Sequence, residues 1–180
     1  MHVRLTDDPE SSGTQILPSA KRSDAPLSNR GVAGLSTLKN ITLITVSGGG
    51  MVGVPGFSRR LFTALSLAGV NVVLVSQGSS EHAISIAVAD ADAHGAKKAL
   101  NEEFGADQQL GRIGPLVVES GFAIVALVGD GMRQQSGIAG RAFGTLGRNG
   151  ISIRAISQGS TERNISIVID AKHERKALQS

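Results

Sequence analysis

No cysteine, tryptophan or tyrosine occurs in the chain, and five phenylalanines make up all of its aromatic content. The first absence excludes disulfides and thiolate metal sites and is compatible with a reducing compartment. With so few aromatics, the core must be assembled from Val, Ile, Leu and Ala, for which a hydrophobic fraction of 41% suffices. Charge of one sign is not concentrated either. Eighteen Lys and Arg stand against fifteen Asp and Glu, a formal charge of +3, and the basic residues are scattered rather than blocked, which argues against a polyanion partner. His2, His82, His94 and His173 lie far apart without metal-ligand spacing. No apolar run approaches the ~18–20 residues of a membrane span, and MHVRLTDDPE places charges where a signal peptide needs an apolar centre. The expectation is a soluble, cytoplasmic protein with no membrane partner, no metal and no cofactor.

What is present is a duplication. VSQGSSEHAISIAV (75–88) returns 81 residues later as ISQGSTERNISIVI (156–169), and the register holds without gaps back to Ile41. Gly50-Met51 matches Gly131-Met132, Gly56 matches Gly137, Arg60 matches Arg141 and Gly69 matches Gly150. Each copy reads as an apolar strand (ITLITV 41–46; FAIVALV 122–128), a glycine loop, and a helix. In the first copy that helix runs from about Gly56 to Ala68, with Phe57, Leu61, Leu65 and Ala68 on one face. Gly69 and Gly150 sit where a glycine ends a helix. Then follow two strands joined by a QGS turn, and a second helix, predicted from about Ala91 to Phe104 in the first copy and starting near Ala171 in the second. That last helix reaches Ser180 incomplete, so the second unit reads as truncated.

VAGLSTL (32–38) and IGPLVVE (113–119) each precede a first strand by what looks like a short turn, predicting a further antiparallel strand beside it. The fold class is α+β: two ferredoxin-like units, each a four-stranded antiparallel sheet with two helices on one face, in permuted ββαββα order. The expected division is 1–30 as a tail and linker, 31–110 as the first unit and 111–180 as the second. Whether the added strands stay with their own unit or exchange is left open at this level.

VSGGGMVGVPGF (46–57) contains G-x-G-x-x-G at Gly48, Gly50 and Gly53. A dinucleotide site requires a parallel βαβ unit and an acidic residue about 20 positions on, whereas here the next strand ends in Ser76-Gln77 and enters a hairpin. The copy, GDGMRQ, lacks the third glycine, and no Lys lies between Lys39 and Lys97 to make a phosphate loop. A glycine loop feeding a helix N-terminus still offers backbone N–H groups to one carboxylate, and Gln77 and Gln158 face it with amides that donate and accept. The bland alternative is that the glycines make turns and the glutamines cap hairpins.

Taken together, VSGGGMVGVPG, VLVSQGSSEHAISIAV, VALVGDGMR and GIAGRAFGTLGRNGISIRAISQGSTERNISIVI resemble the tandem ACT regulatory region of aspartate kinases, above all the type fused to homoserine dehydrogenase. VRLTDDPESSGTQI (3–16) resembles the close of the kinase domain. The resemblance implies a non-catalytic, feedback-sensing segment that binds a free amino acid and assembles as a homodimer through its sheets. It implies an effector site at Ser47, Met51, Gly56, Phe57, Ser58, Gln77, Gly78 and Ser79, and in the copy at Asp130, Met132, Gly137, Ile138 and Gln158. Threonine-sensing relatives use the glutamine of each repeat, and lysine-sensing ones tend to carry an Asp where Val73 stands, which points to threonine over lysine.

Two other classes compete. RNA-recognition domains share the plan but need aromatics on their central strands, where only Phe122 is found, at a strand's start. An enzyme would draw on Ser79, Glu81 and His82, yet His82 becomes Arg163 in the copy, which favours solvated turn residues.

Overall fold

The computed structural model describes residues 31–180 together with two short strands, β1 (His2–Val3) and β2 (Thr14–Gln15). Two compact units are distinguished, Met1–Arg30 and Gly31–Ser180. In the first, β1 and β2 pair antiparallel, with His2 opposite Gln15. Apart from these strands, the stretch resembling a kinase tail lies outside the described residues.

The second unit is built on β3 (Gly34–Ser47) and β6 (Val117–Val128), the longest strands described. Around them stand α1 (Phe57–Leu67), β4 (Val72–Gln77), β5 (Ala83–Ala89) and α2 (Ala93–Gln109) in the first copy. The second copy supplies α3 (Ile138–Arg148), β7 (Ile153–Gln158), β8 (Asn164–Asp170) and α4 (Glu174–Gln179). The six strands form one antiparallel sheet in the order β4-β5-β3-β6-β8-β7.

The short turns expected before each first strand do not form. Gly34–Leu38 and ITLITV join in β3, and Val117–Glu119 and FAIVALV join in β6, each through a kink with φ in the left-handed region, at Asn40 (57°) and at its repeat equivalent Gly121 (88°). These are positions where Asn and Gly carry positive φ at little cost. Register shifts at Leu38/Ile41 and Ile41/Leu43 mark the irregularity. Because the chain runs straight on, the added strands are exchanged. Gly34–Leu38 pairs with Ile124–Val128 of the second copy, while Val117–Glu119 pairs with Leu43–Thr45 of the first. Each copy thereby obtains its fourth strand from residues next to the other.

Two cores lie between sheet and helices. In the first, Phe57, Leu61 and Leu65 of α1 and Ala96, Leu100 and Phe104 of α2 pack on Ile44, Val46, Ile84, Ile86 and Val88, and the exchanged segment contributes Ile113, Leu116 and Val118. Each buried large side chain contributes about 1.5–3 kcal/mol. The second core repeats this with Val125, Leu127, Ile165, Ile167 and Ile169 against α3, completed by the exchanged Val32. A third cluster, Ile41, Leu43, Leu74, Ala87, Phe122, Ile124 and Val168, covers the sheet's other face, where the twisted sheet brings its end strands β4 and β7 together. Thr42 is the buried polar residue of the core, and it is satisfied. Its hydroxyl donates to Asp90 Oδ1 at 2.6 Å and meets Ser120 Oγ at 2.8 Å.

Helix boundaries follow local chemistry. Gly69 and Val70 close α1 by donating to Ser66 and Leu65 carbonyls, and Gly150 and Ile151 repeat the pattern on Gly147 and Leu146. Helix α2 runs to Gln109, five residues beyond the expected end at Phe104, because Arg60 of α1 holds it. The Arg60 guanidinium donates to Glu103 Oε1 (2.6 Å) and Asp107 Oδ2 (2.8 Å), stands over the Phe104 ring at 4.8 Å, and titrates above its ordinary value because of those two carboxylates.

The exchange is tightest where backbones meet. A Cβ on Gly48 would lie 2.5 Å from the Arg112 carbonyl oxygen, and one on Gly129 would fall on that of Gly31. Gly129→Ala is therefore expected to destabilise the protein by roughly 2 kcal/mol or more in urea unfolding, with faster hydrogen exchange at Leu35–Leu38. Gly140→Ala, in α3 with open space around its Cβ position, is expected to stabilise by about 0.5–1 kcal/mol.

Glu174, at the start of α4, pairs with Lys39 of β3 at 3.1 Å. Hydrogen bonds from Lys39 and then Thr37 hold its carboxyl below the ordinary value of 4.5. A depressed folded-state value means that the contribution is complete above the unfolded value and fades as pH falls through the folded one. NMR titration is expected to place Glu174 lower in the native protein than in Lys39→Met.

Candidate binding sites

The residues after the first strand of each copy divide into two jobs. Gly48 and Gly50, and Gly129 and Gly131 in the copy, receive the exchanged segment. The Gly50 N–H donates to the Arg112 carbonyl at 2.8 Å, and Gly114 and Ala33 donate to Ser47 and Val128 carbonyls at 2.8 Å. The first two glycines of the apparent dinucleotide fingerprint thus serve backbone packing. The remainder of the loop turns to the start of the helix, where Gly56 and Gly137 occupy the N-cap with φ of 87° and 82°, values that exclude most side chains. Neither helix has a side-chain cap or an acid in its first turn, so the first-turn N–H groups of α1 and α3 lack a side-chain acceptor.

Beside each of these helix starts lies a cavity. That of the first copy, of about 120 Å³, is lined by Met51, Val54, Gly56, Phe57, Ser58, Gln77, Glu81 and Ile84. That of the second, of about 440 Å³, is lined by Met132, Arg133, Gln135, Ser136, Gly137, Ile138, Ala139, Gln158, Glu162 and Ile165. The two are the same place in the repeat, residue for residue at Met51/Met132, Gly56/Gly137, Phe57/Ile138, Gln77/Gln158, Glu81/Glu162 and Ile84/Ile165. Met51, Phe57 and Ile84, like Met132, Ile138 and Ile165, are buried and make an apolar floor, and the glutamines and glutamates stand at an exposed rim. An apolar floor with a few convergent polar groups is the usual make-up of a small-molecule site.

Of the residues singled out in the sequence, Met51, Gly56, Phe57, Ser58 and Gln77 come together in the first cavity, and Met132, Gly137, Ile138 and Gln158 in the second. Ser47, Gly78, Ser79 and Asp130 do not line them. Ser47 uses its carbonyl on the exchanged Gly114, Gly78 accepts from the Glu81 N–H within its turn, Ser79 is exposed in that turn, and Asp130 pairs with Arg163 at 3.3 Å. Sequence reasoning missed Val54, Arg133, Gln135, Ser136, Ala139, Ile84 and Ile165, and above all Glu81 and Glu162. The signal for the two glutamates was present, since both repeats read S-Q-G-S-x-E. Gln135 also ties its cavity to the chain's entry into β3, because its Oε1 accepts the Gly31 N–H at 2.8 Å.

The rival chemistries find no support here. Phe57, Phe104 and Phe122 are buried, Phe143 is half-buried and Phe62 lies on a helix, so no strand face offers an aromatic to a base. The Nδ1 of His82 meets the Ser80 carbonyl oxygen at 2.8 Å in an exposed turn rather than a nucleophile. Among the described residues no group of three His, Cys, Asp or Glu converges, and no helix is long and apolar enough to cross a membrane.

Comparison with known proteins agrees with the repeat. An ACT domain family model matches residues 44–104 and 125–180. The bifunctional aspartokinase/homoserine dehydrogenase of Haemophilus influenzae is 38% identical over 178 residues, which are 99% of this chain and 21% of that protein. The chain thus spans about a fifth of that curated relative's length. Aspartokinase alpha and beta subunits, in a crystal structure, align with a TM-score of 0.68 at 28% identity, over 82% of this chain and 94% of theirs. The ligand-free regulatory subunit of aspartate kinase from Thermus thermophilus aligns with a TM-score of 0.71 at 24% identity, over 83% of this chain and 95% of that one, a likeness of fold. With both copies matched, the chain belongs to the ACT domain family, as a tandem pair similar to the regulatory part of aspartate kinases.

Proposed function

We propose that this chain is the amino-acid-sensing region of an aspartate kinase of the type fused to homoserine dehydrogenase, and that it binds L-threonine for feedback inhibition. Residues 1–30 then close the kinase domain and its linker, 31–110 and 111–180 are the two ACT units, and catalysis belongs to other parts of a cytoplasmic parent protein. The observation that carries this reading is the repeated cavity. Twice, at the same offset, an uncapped helix start, a left-handed glycine and a glutamine converge over an apolar floor.

Chemistry supports each part. The first-turn N–H groups and the positive end of the helix dipole suit a carboxylate. The amides of Gln77 and Gln158 suit a hydroxyl, as both donor and acceptor. Val73, where lysine-sensing relatives tend to carry an Asp, lies outside the lining of the first cavity, so the preference for threonine over lysine rests on the two glutamines. The end strands β4 and β7 expose Val73, Val75 and Ile156, edges through which a homodimer would assemble. Effector that prefers one arrangement of the paired units shifts a two-state equilibrium by its differential affinity, typically ~1–3 kcal/mol. A ligand of about eight heavy atoms, after ordering costs, is expected in the micromolar to millimolar range.

Calorimetry is expected to show saturable binding of L-threonine in that range and none of L-lysine, with Gln77→Ala and Gln158→Ala each weakening it roughly 3- to 10-fold. Saturable binding of lysine alone would reassign the effector. Heat-free titrations of folded protein with both would remove the amino-acid reading.

A further inference from the structure

The two copies cover their helix faces differently. Helix α2 is 17 residues long, and α4, its counterpart, has 6. The repeat equivalents of Leu100, Glu103, Phe104 and Asp107 fall past Ser180. In the first copy Leu100 and Phe104 are fully buried, with the Phe104 ring stacked on Phe57 at 4.7 Å, while Glu103 and Asp107 hold Arg60. Where the second copy would need such side chains, a groove of about 210 Å³ opens beside α3, α4 and the sheet.

The lining of this groove matches the first core position by position. Leu127, Leu146, Ile167 and Ala177 stand in it for Val46, Leu65, Ile86 and Ala96, which pack in one cluster with Leu100 and Phe104. Leu35 stands for Leu116, and it is 48% exposed where Leu116 is half-buried against its core. Two lining side chains are smaller than their counterparts, Ile138 for Phe57 and Ala142 for Leu61, which leaves room for a bulky residue. Arg141 takes the place of Arg60. Arg60 is held by two acids, whereas Arg141 is exposed and pairs with no acid among the described residues. An apolar groove and an unanswered cation therefore lie side by side.

We propose that this groove is the docking site of an acidic amphipathic helix, and that the helix belongs to a part of the parent polypeptide outside residues 1–180. The occupant presents two large apolar residues, four positions apart, to the groove and sets acids on the same side against Arg141. The first copy shows that this surface, with the same arginine, accepts such a helix. Charge-assisted hydrogen bonds to Arg141 fix the register of the helix, and the apolar pair supplies the burial. The choice of source rests on the reading of the chain as part of a longer protein. A relative 38% identical to it extends over a length of which this chain covers 21%, so most of such a polypeptide lies elsewhere.

The test joins LNEEFGADQQ, the sequence of residues 100–109, directly after Ser180, in register with the repeat, and follows thermal unfolding. The extended chain is expected to melt roughly 3–10 °C above the 180-residue chain. Phe104→Ala in the appended copy should remove most of that gain. R141E should reduce it, measured against the unextended R141E chain, and changing the appended copies of Glu103 and Asp107 to Lys should restore it. An unchanged midpoint, or a gain indifferent to these charge reversals, overturns the docking site. The source is tested by hydrogen exchange, in which the amides of Ile138–Arg148 are expected to exchange roughly tenfold more slowly in the parent protein than in the 180-residue chain. Equal rates overturn the assignment of the occupant, as does protection that grows with the concentration of the isolated chain, which would seat a second copy in the groove. Neither measurement involves an amino-acid effector, so failure here is distinct from failure of the threonine reading.

Discussion

The exchange of strands between β3 and β6 is the constraint from which the rest of the architecture follows. Ile41 stands opposite Phe122, its own repeat equivalent, so the two long strands cross at a point of internal symmetry. On either side of that point each strand serves one copy and then the other. Neither copy owns a complete sheet. Ile113, Leu116 and Val118 cross in one direction to join the core under α1 and α2, and Val32 crosses in the other to join the core under α3. A unit of ~80 residues buries a modest fraction of its surface, and interlocking two of them enlarges the common core without lengthening the chain.

That constraint also places the cavities. The exchanged segments press on the start of each glycine loop, where only glycine admits the approach at Gly48 and Gly129. The loop then has a handful of residues in which to turn and begin a helix. Gly56 and Gly137 make that turn with positive φ, leaving uncapped N–H groups beside Gln77 and Gln158 at the end of the neighbouring strand. Packing and binding are therefore adjacent uses of one loop. Gln135 makes the adjacency explicit, lining the second cavity while holding Gly31 at the start of the exchanged segment.

Much of this was legible in the residues. The 81-residue offset identified the duplication, the glycines after each helix marked its end, and the QGS turn of each copy located the strand pairs β4–β5 and β7–β8. The joining of the fourth strands was not legible, for a physical reason. Asn40 and Gly121 take positive φ, which suits a tight turn and a kink within a continuous strand equally well, and the choice between them is made by pairing with residues some 80 positions away. The extra length of α2 was hidden in the same way, since GADQQ has no apolar period and is held instead by Arg60 and Arg112 on Asp107. At the candidate sites, Ser47, Gly78, Ser79 and Asp130 share a loop or turn with cavity residues but face elsewhere, a distinction of direction that a sequence position does not carry. Glu81 and Glu162 were passed over because a charged turn residue is ordinarily solvated, and their shared left-handed backbone appears only in three dimensions.

The account stands on both copies offering a zwitterion the same kind of place. Amide chemical shifts followed by NMR during titration with L-threonine test this most directly. The account predicts that the largest changes fall on two clusters one repeat apart, Gly53–Ser58 and the corresponding stretch through Ala139, with the strand-end glutamines moving alongside. Changes confined to the edges of β4 and β7, or spread over the helices without touching either loop, would contradict it.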